Sequence, residues 1–291
     1  MKQPAGPDGL AVIDKPAGWT SHDVVAKLRG VLGTRKVGHA GTLDPDATGV
    51  LLVGVGKATR LMRFMTALPK SYVGEVVLGT ETSTLDAAGE VTATHDMDGV
   101  TLEQARAAAV QLTGDIMQVP PMVSALKVGG VRLHELARQG IEIEREARPV
   151  TVHRFDVDEV PGEPGILRIE VDCSSGTYVR TLAADLGVLL GGGAHLRNLR
   201  RTAIGSFTLA EATTIEGATV MPPAAALRDH TSITVDADTA ALVRNGRVLD
   251  LAALGATGRP PWPVLDESGT LLAVYEPVPG ERAKPTVVIP A

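Results

Sequence analysis

The 291-residue chain holds a single cysteine, Cys173, and only 3% aromatic residues. One thiol excludes an intramolecular disulfide framework and a Cys₄ zinc site, and it fits a reducing compartment. No run of 18 apolar residues occurs, so no helical membrane span is expected. Met1–Gly9 is polar and rich in Pro and Gly, without the apolar core of a signal peptide, and a cytoplasmic location is the expectation. A phosphate-cradling loop is missing as well. Gly54-Val55-Gly56-Lys57-Ala58-Thr59 would need Gly in place of Leu51 and Ser or Thr in place of Ala58, which removes the case for a nucleotide-dependent phosphotransferase. His39 with Asp44 and Asp46 lacks a second His or Cys at ligand spacing, so no metal is expected. What remains is ordinary: 44% hydrophobic and 21% charged residues, as in a globular protein of one large or two modest domains.

A surplus of basic charge is also absent, since 28 Lys+Arg stand against 34 Asp+Glu for a net charge of −6. Nucleic acid is a poor first guess from that figure. Counted by segment, however, residues 1–72, 124–154 and 173–210 carry +5, +2 and +3, while 73–123, 155–172 and 211–291 carry −7, −5 and −4. If the fold gathers the three basic blocks, they form a positive face of the kind that phosphate-backbone binding requires. Charge blocks of this size also arise on plain solvated surfaces.

Local pattern gives the elements. Thr20 reads as an N-cap, followed by Val24, Val25, Leu28, Val31 and Leu32 at helical spacing and closed by Gly33. Ser71–Gly79 is rich in β-branched residues and reads as a strand. Thr101–Gly114 reads as an Ala-rich helix, Ile166–Asp172 as a half-buried strand, and Val179–Leu190 as a helix ended by three glycines. Strands with interspersed helices and no regular βαβ repeat favour a mixed α+β fold. A boundary falls between Met221 and Asp229. Beyond it, strand-like pieces at Ser232–Val235, Leu271–Pro277 and Thr286–Ile289 suggest a small, mainly β domain.

The chemistry concentrates in Gly38–Gly49. Glycines at 38, 41 and 49 and Pro45 mark it as a tightly turned loop, and Pro45 pushes Asp44 out of the helical region. A carboxylate fixed there, ahead of the apolar run Val50–Val55, is a candidate nucleophile or general base. The plainer reading is that Asp44 and Asp46 cap turns.

The stretch Gly38-His39-Ala40-Gly41-Thr42-Leu43-Asp44-Pro45, with Ala47-Thr48-Gly49-Val50-Leu51, resembles the signature of TruB-type tRNA pseudouridine-55 synthases. Further blocks match in order: Gly9-Leu10 through Asp14-Lys15-Pro16 to Ser21, Lys70-Ser71-Tyr72, Thr80–Gly89, Gln118–Lys127 with Ala137–Gly140, and Cys173–Leu182 followed by Gly193–Leu196 with Leu199-Arg200-Arg201. Together they cover about residues 9–210, and the order of several blocks is far more specific than any one of them.

The resemblance implies a pseudouridine-synthase fold with a mixed, largely antiparallel sheet and flanking helices. Its catalytic domain would be residues 1–228, with an RNA-facing insertion at about 120–150, and residues 229–291 would form a small PUA-like domain. The C-terminal match is the weakest. The reaction implied is isomerisation of uridine to pseudouridine in the T-loop of tRNA, which needs no cofactor or metal. The target uridine lies inside a folded loop and must be flipped out for chemistry. Asp44 is implied as the covalent catalyst, at either C1′ of the ribose or C6 of the uracil. Arg180 is its ion-pair partner, and Tyr72 stacks on the base and assists proton removal from C5. Tyr178 and Leu199 line the uracil pocket, and His39 sits at the flipped nucleotide. Phosphate contacts are assigned to Lys15, Arg35, Lys36, Lys57, Lys70, Lys127, Arg132, Arg138, Arg200 and Arg201. The expected partner is tRNA, read by the shape of its T-arm and elbow, with no membrane, no obligatory protein partner and a monomeric state. Two alternatives stand beside this: an RNA chaperone, which has no use for Asp44, and a guide-RNA-dependent synthase of the same superfamily, disfavoured by the lack of a Lys-rich tail.

Overall fold

The computed structural model describes residues 6–124, 126–128, 131–133, 139–141 and 143–290. Four strands come first: β1 (Gly9–Lys15), β2 (Val37–Ala40), β3 (Thr48–Val55) and β4 (Lys70–Leu78). The hairpin of β5 (Thr80–Thr82) and β6 (Val91–Thr94) follows, then β7 (Gly114–Gln118) and the hairpin of β8 (Lys127–Val128) and β9 (Val131–Arg132). Next are β10 (Arg148–Glu159), β11 (Ile166–Cys173), β12 (Ala194–Ile204) and β13 (Phe207–Thr208). The last group is β14 (Ile233–Val235), β15 (Leu249–Asp250), β16 (Trp262–Asp266), β17 (Leu271–Val278) and β18 (Arg282–Val288).

The main sheet has nine strands among the described residues, in the order β1-β3-β12-β4-β11-β10-β7, with β2 added on β3 and β13 on β12. Its pairings are antiparallel except β3 with β12, where Thr48 and Gly49 run alongside Arg200 and Arg201. That parallel contact sets the start of β3 beside the middle of β12. The architecture is therefore mixed α+β and largely antiparallel. A second sheet, β14-β16-β17-β18-β15, is built from residues 233–288 around its own core of Val243, Trp262, Leu272 and Tyr275.

Alternation along β1 and β3 explains the unbroken apolar run of β3. Ala11, Ile13, Leu51 and Val53 face the Ser21–Val31 helix through Val24, Val25 and Leu28. Leu10, Val12, Val50 and Leu52 face the opposite way, against Leu61, Phe64 and Met65 and against Leu271, Val274, Val287 and Ile289 of the second sheet. A strand buried on both faces has no polar side to show. The Leu102–Gln111 and Val179–Leu189 helices cover β4, β10, β11 and β12 through Ala105, Ala109, Leu182 and Leu186.

The Thr20 cap is present, reciprocated by Asp23 in a capping box, and Gly33 follows the helix at φ 62°. Three expectations need correction. Gly38 and Gly49 lie inside β2 and β3, so the true loop is residues 41–47. Gly49 is required by close approach: at its φ of 103°, a Cβ would lie 2.1 Å from the Arg201 carbonyl oxygen. The Ala-rich helix stops at Gln111, and Gly114 opens β7 instead of ending the helix. Finally, β18 starts at Arg282, four residues before Thr286, because its early residues pair with Val278 and Pro277. Among the described residues, no helix is long and apolar enough to cross a membrane.

Candidate active site

The 41–47 loop is held by its backbone from three directions. Arg201 on β12 donates from Nη2 to the Gly41 carbonyl (3.2 Å), from Nη1 to that of Thr42 (3.4 Å) and from Nε to that of Val50 (2.8 Å). Ser21, at the start of its helix, accepts from the Leu43 N–H (2.9 Å) and donates to the Leu43 carbonyl (3.2 Å). Lys15, ending β1, donates from Nζ to the carbonyls of Pro45 (2.8 Å), Pro16 (2.9 Å) and Trp19 (2.6 Å). Leu43 and Pro45, the two neighbours of Asp44, are thus anchored, and the Asp44 side chain keeps 40% of its surface open.

Arg180 meets that carboxylate. It sits in the first turn of the Val179–Leu189 helix, whose N-cap Tyr178 is fixed by Gln118. The Tyr178 N–H donates to Gln118 Oε1 (2.7 Å), and Gln118 Nε2 donates to the Tyr178 carbonyl (3.1 Å). Only 5% of the Arg180 side chain is exposed. It grips Asp44 at two points, Nε to Oδ2 at 3.0 Å and Nη2 to Oδ1 at 3.2 Å, a fork that fixes orientation as well as charge. It also donates to the carbonyls of Thr84 (2.9 Å) and Val123 (2.8 Å) and lies 3.3 Å from Asp86 Oδ2. Asp86 accepts in turn from Thr84 Oγ1 (2.5 Å) and the Ala88 N–H (3.1 Å). Burial pushes the Asp44 carboxyl pKa up, Arg180 opposes this, and the neighbouring Asp86 charge adds to the rise.

Two cavities flank this pair. One, of about 400 Å³, is lined by Asp44, Lys70, Tyr72, Tyr178, Leu199 and Arg201 among others. The second, of about 440 Å³, includes Asp44, Asp86, Arg180, Leu196, Asn198 and Leu199. Leu199 reaches both because β12 slips register between Arg197 and Arg200, with Asn198 at a left-handed φ of 53°. Tyr72 lies on β4 opposite Arg201, and burial raises its hydroxyl pKa while the guanidinium opposes. A carboxylate clamped at the edge of such a pocket is equipped to act as a nucleophile or a general base.

The structure gathers Asp44, Arg180, Tyr72, Tyr178 and Leu199. His39 stands outside both linings, on β2, with its ring nearly perpendicular to that of His22 at 5.2 Å. Burial, then His22, pulls its pKa down to about 4, and His39 Nδ1 has no hydrogen-bond partner among the described residues. Lys15 needs correction as a substrate-binding residue. It is fully buried beneath the loop, its ammonium saturated by three carbonyls. Lys70 and Arg201 are buried too and hold backbone carbonyls, so they are not surface phosphate contacts either. Lys57 is tied to Asp8 and the Pro290 carbonyl, and Arg200 to Asp14 and Thr48. Arg35 and Lys36 are exposed. Arg138 and the side chains of Lys127 and Arg132 lie outside the described residues. Asp86, Gln118 and Ser21 are additions that residue-level reasoning did not single out. The one local signal was Thr84-x-Asp86, a spacing that favours side-chain closure of a turn. Among the described residues, no group of three His, Cys, Asp or Glu could hold a metal.

The family model "TruB family pseudouridylate synthase (N terminal domain)" matches residues 29–179, and "tRNA pseudouridylate synthase B C-terminal domain" matches 180–221. The chain is 48% identical to tRNA pseudouridine synthase B of Streptomyces coelicolor, over 93% of each chain. It is also 48% identical to the protein of that name from Rhodococcus jostii, over 97% of this chain and 93% of the relative. Among solved structures, a chain of a Cbf5–Nop10–Gar1 complex superposes with a TM-score of 0.75 at 25% identity, covering 97% of this chain and 85% of that one.

Proposed function

The chain belongs to the TruB family of pseudouridylate synthases, and from that premise we propose that Asp44 is the covalent catalyst of uridine isomerisation at position 55 of the tRNA T-loop. The protein is a tRNA pseudouridine synthase, an isomerase. In the reaction the bond between ribose C1′ and uracil N1 breaks, the uracil turns, and a C1′–C5 bond forms. C5 gives up one proton and N1 gains one, so the product has the atoms of the substrate.

The roles follow from position and charge. Asp44 must be ionised to attack, and Arg180 keeps it ionised and aimed despite burial. Tyr72 offers a face for the flipped base and a hydroxyl for the C5 proton, while Tyr178 and Leu199 close the pocket around the ring. His39, neutral at physiological pH, fills the stack that the uridine vacates. The insertion and the exposed Arg35 and Lys36 grip the T-arm and elbow, with residues 229–291 as a PUA-like unit. The enzyme works as a cytoplasmic monomer and without a cofactor.

The observation that carries this reading is the two-point Arg180–Asp44 pair standing between two cavities, each large enough for a small polar ring. Incubating the protein with an unmodified tRNA transcript alone, then mapping pseudouridine, tests it. Modification at position 55 is expected from the wild type. Asp44→Asn should form none while still binding tRNA. Full activity in that variant removes Asp44 as nucleophile, and a requirement for a second RNA would move the protein to guide-dependent chemistry.

A further inference from the structure

Residues 56–66, a tight helical turn (Gly56–Leu61) running into a short helix (Met62–Thr66), lie between the second sheet and the cavity wall. On the outer side each basic residue of the segment bonds to the second sheet or to the chain that leaves it, with Lys57 also 3.5 Å from Asp8. Lys57 Nζ donates to the Pro290 carbonyl (2.8 Å), Arg60 Nη1 to that of Val288 (2.6 Å), and Arg63 pairs with Glu276 (2.8 Å). Leu61, Phe64 and Met65 share one apolar cluster with Leu271, Val274, Val287 and Ile289. On the inner side, Thr66 lines the cavity that holds Asp44 and Tyr72. Lys70 Nζ donates to the carbonyls of Thr66 and Leu68, both at 2.6 Å. Lys70 opens β4 two residues before Tyr72, so the two side chains share a face of that strand.

We propose that the second sheet is a positioning element for the uridine pocket, acting through residues 56–66 on Lys70 and hence on the wall that carries Tyr72. This rests on the cavity being the uridine pocket, as argued above. The charge distribution agrees with it. Residues 211–291 carry a net −4, a weak basis for gripping RNA, whereas the acidic Glu276 and two terminal carbonyls meet cations of the catalytic body. Small displacements of a pocket wall far from the reacting atoms are costly to rate without being costly to affinity.

The test uses full-length protein with Lys57→Ala, Arg60→Ala and Arg63→Ala combined, measuring tRNA affinity and the single-turnover rate at saturating enzyme. The expected result is a rate lowered by about tenfold with affinity nearly unchanged, the signature of lost positioning. Lys70→Met should lower the rate as well, and its effect should be less than additive with the triple variant, since both act on one wall. Because the triple variant could unfold, Arg63→Glu offers a milder lesion, and Glu276→Arg in the same chain should restore its rate. Weaker tRNA binding with an unchanged single-turnover rate overturns the proposal in favour of a plain RNA grip, and strict additivity with Lys70→Met overturns the route through Lys70. A wild type that forms no pseudouridine would instead remove the reading on which the proposal rests.

Discussion

Asp44 works against its own surroundings: packing favours the neutral acid, while the proposed chemistry needs the carboxylate. Arg180 opposes the packing, and Asp86, on the same guanidinium, works with it. The sign follows directly. A raised pKa means that activity is lost as pH falls at a higher value than an ordinary aspartate near 3.9 would give. Asp86→Asn removes one negative neighbour and should move the acid limb of the single-turnover rate to lower pH. It should also cost rate at neutral pH, because Asp86 helps orient Arg180. A limb that stays in place would show that Asp86 is electrostatically silent. Arg180→Lys tests the fork itself. A lysine keeps the charge but cannot hold both oxygens, so most turnover should be lost, and near-normal turnover would reduce Arg180 to a counter-charge.

Elements far apart in sequence converge on the 41–47 loop, and the clamp they make is where sequence reasoning fell short. The ends of β1, the Ser21 turn and β12 each supply one grip through Lys15, Ser21 and Arg201. Pattern reading found these residues as motifs but assigned Lys15 to phosphate, since lysine is rarely fully buried. Its burial becomes affordable only when Pro16, Trp19 and Pro45 point three carbonyls at one nitrogen, an arrangement set by tertiary folding. Capped helices were legible because their signals are local: Thr20 with Asp23, and Thr101 with Gln104. Gly49 was misplaced because its need comes from the Arg201 backbone, far away in the chain. Burial pulls the Lys15 pKa from 10.5 down to about 8. Between those values the unfolded chain binds more protons, so this residue's contribution to stability rises with pH across the window and is lost as pH falls through about 8. The clamp runs the other way, since a neutral amine has one donor fewer for three carbonyls. Single-turnover rate should therefore fall above about pH 8 while the urea midpoint of wild type gains on that of Lys15→Met. Parallel midpoints would show that Lys15 does not titrate there. Ser21→Ala, which strips the Leu43 N–H of its buried acceptor, should cost about 1–3 kcal/mol of stability, read from urea unfolding.

Across the whole molecule, the net charge of −6 hides basic blocks, but the blocks are not all available to RNA. Of ten cations that the sequence offered for phosphate, Lys15, Lys70 and Arg201 are buried. Lys57 and Arg200 are bound to carboxylates. The positive charge is thus divided: part holds the 41–47 loop and the cavity walls, and part is engaged by the carboxylates of Asp8 and Asp14. Salt dependence of tRNA binding measures that division, because each neutralised phosphate releases counterions. Ten contacts would give a slope of log affinity against log salt near −9, whereas the five cations left would give about −4 to −5 at most. Replacing the exposed Arg35 and Lys36 with alanine should flatten the slope by about 2. Replacing Lys57 or Arg200 should leave it nearly unchanged. A wild-type slope near −9 would mean that the tied cations exchange their carboxylates for phosphate when tRNA binds, and that the ion pairs at Asp8 and Asp14 are resting contacts instead of fixed parts of the fold.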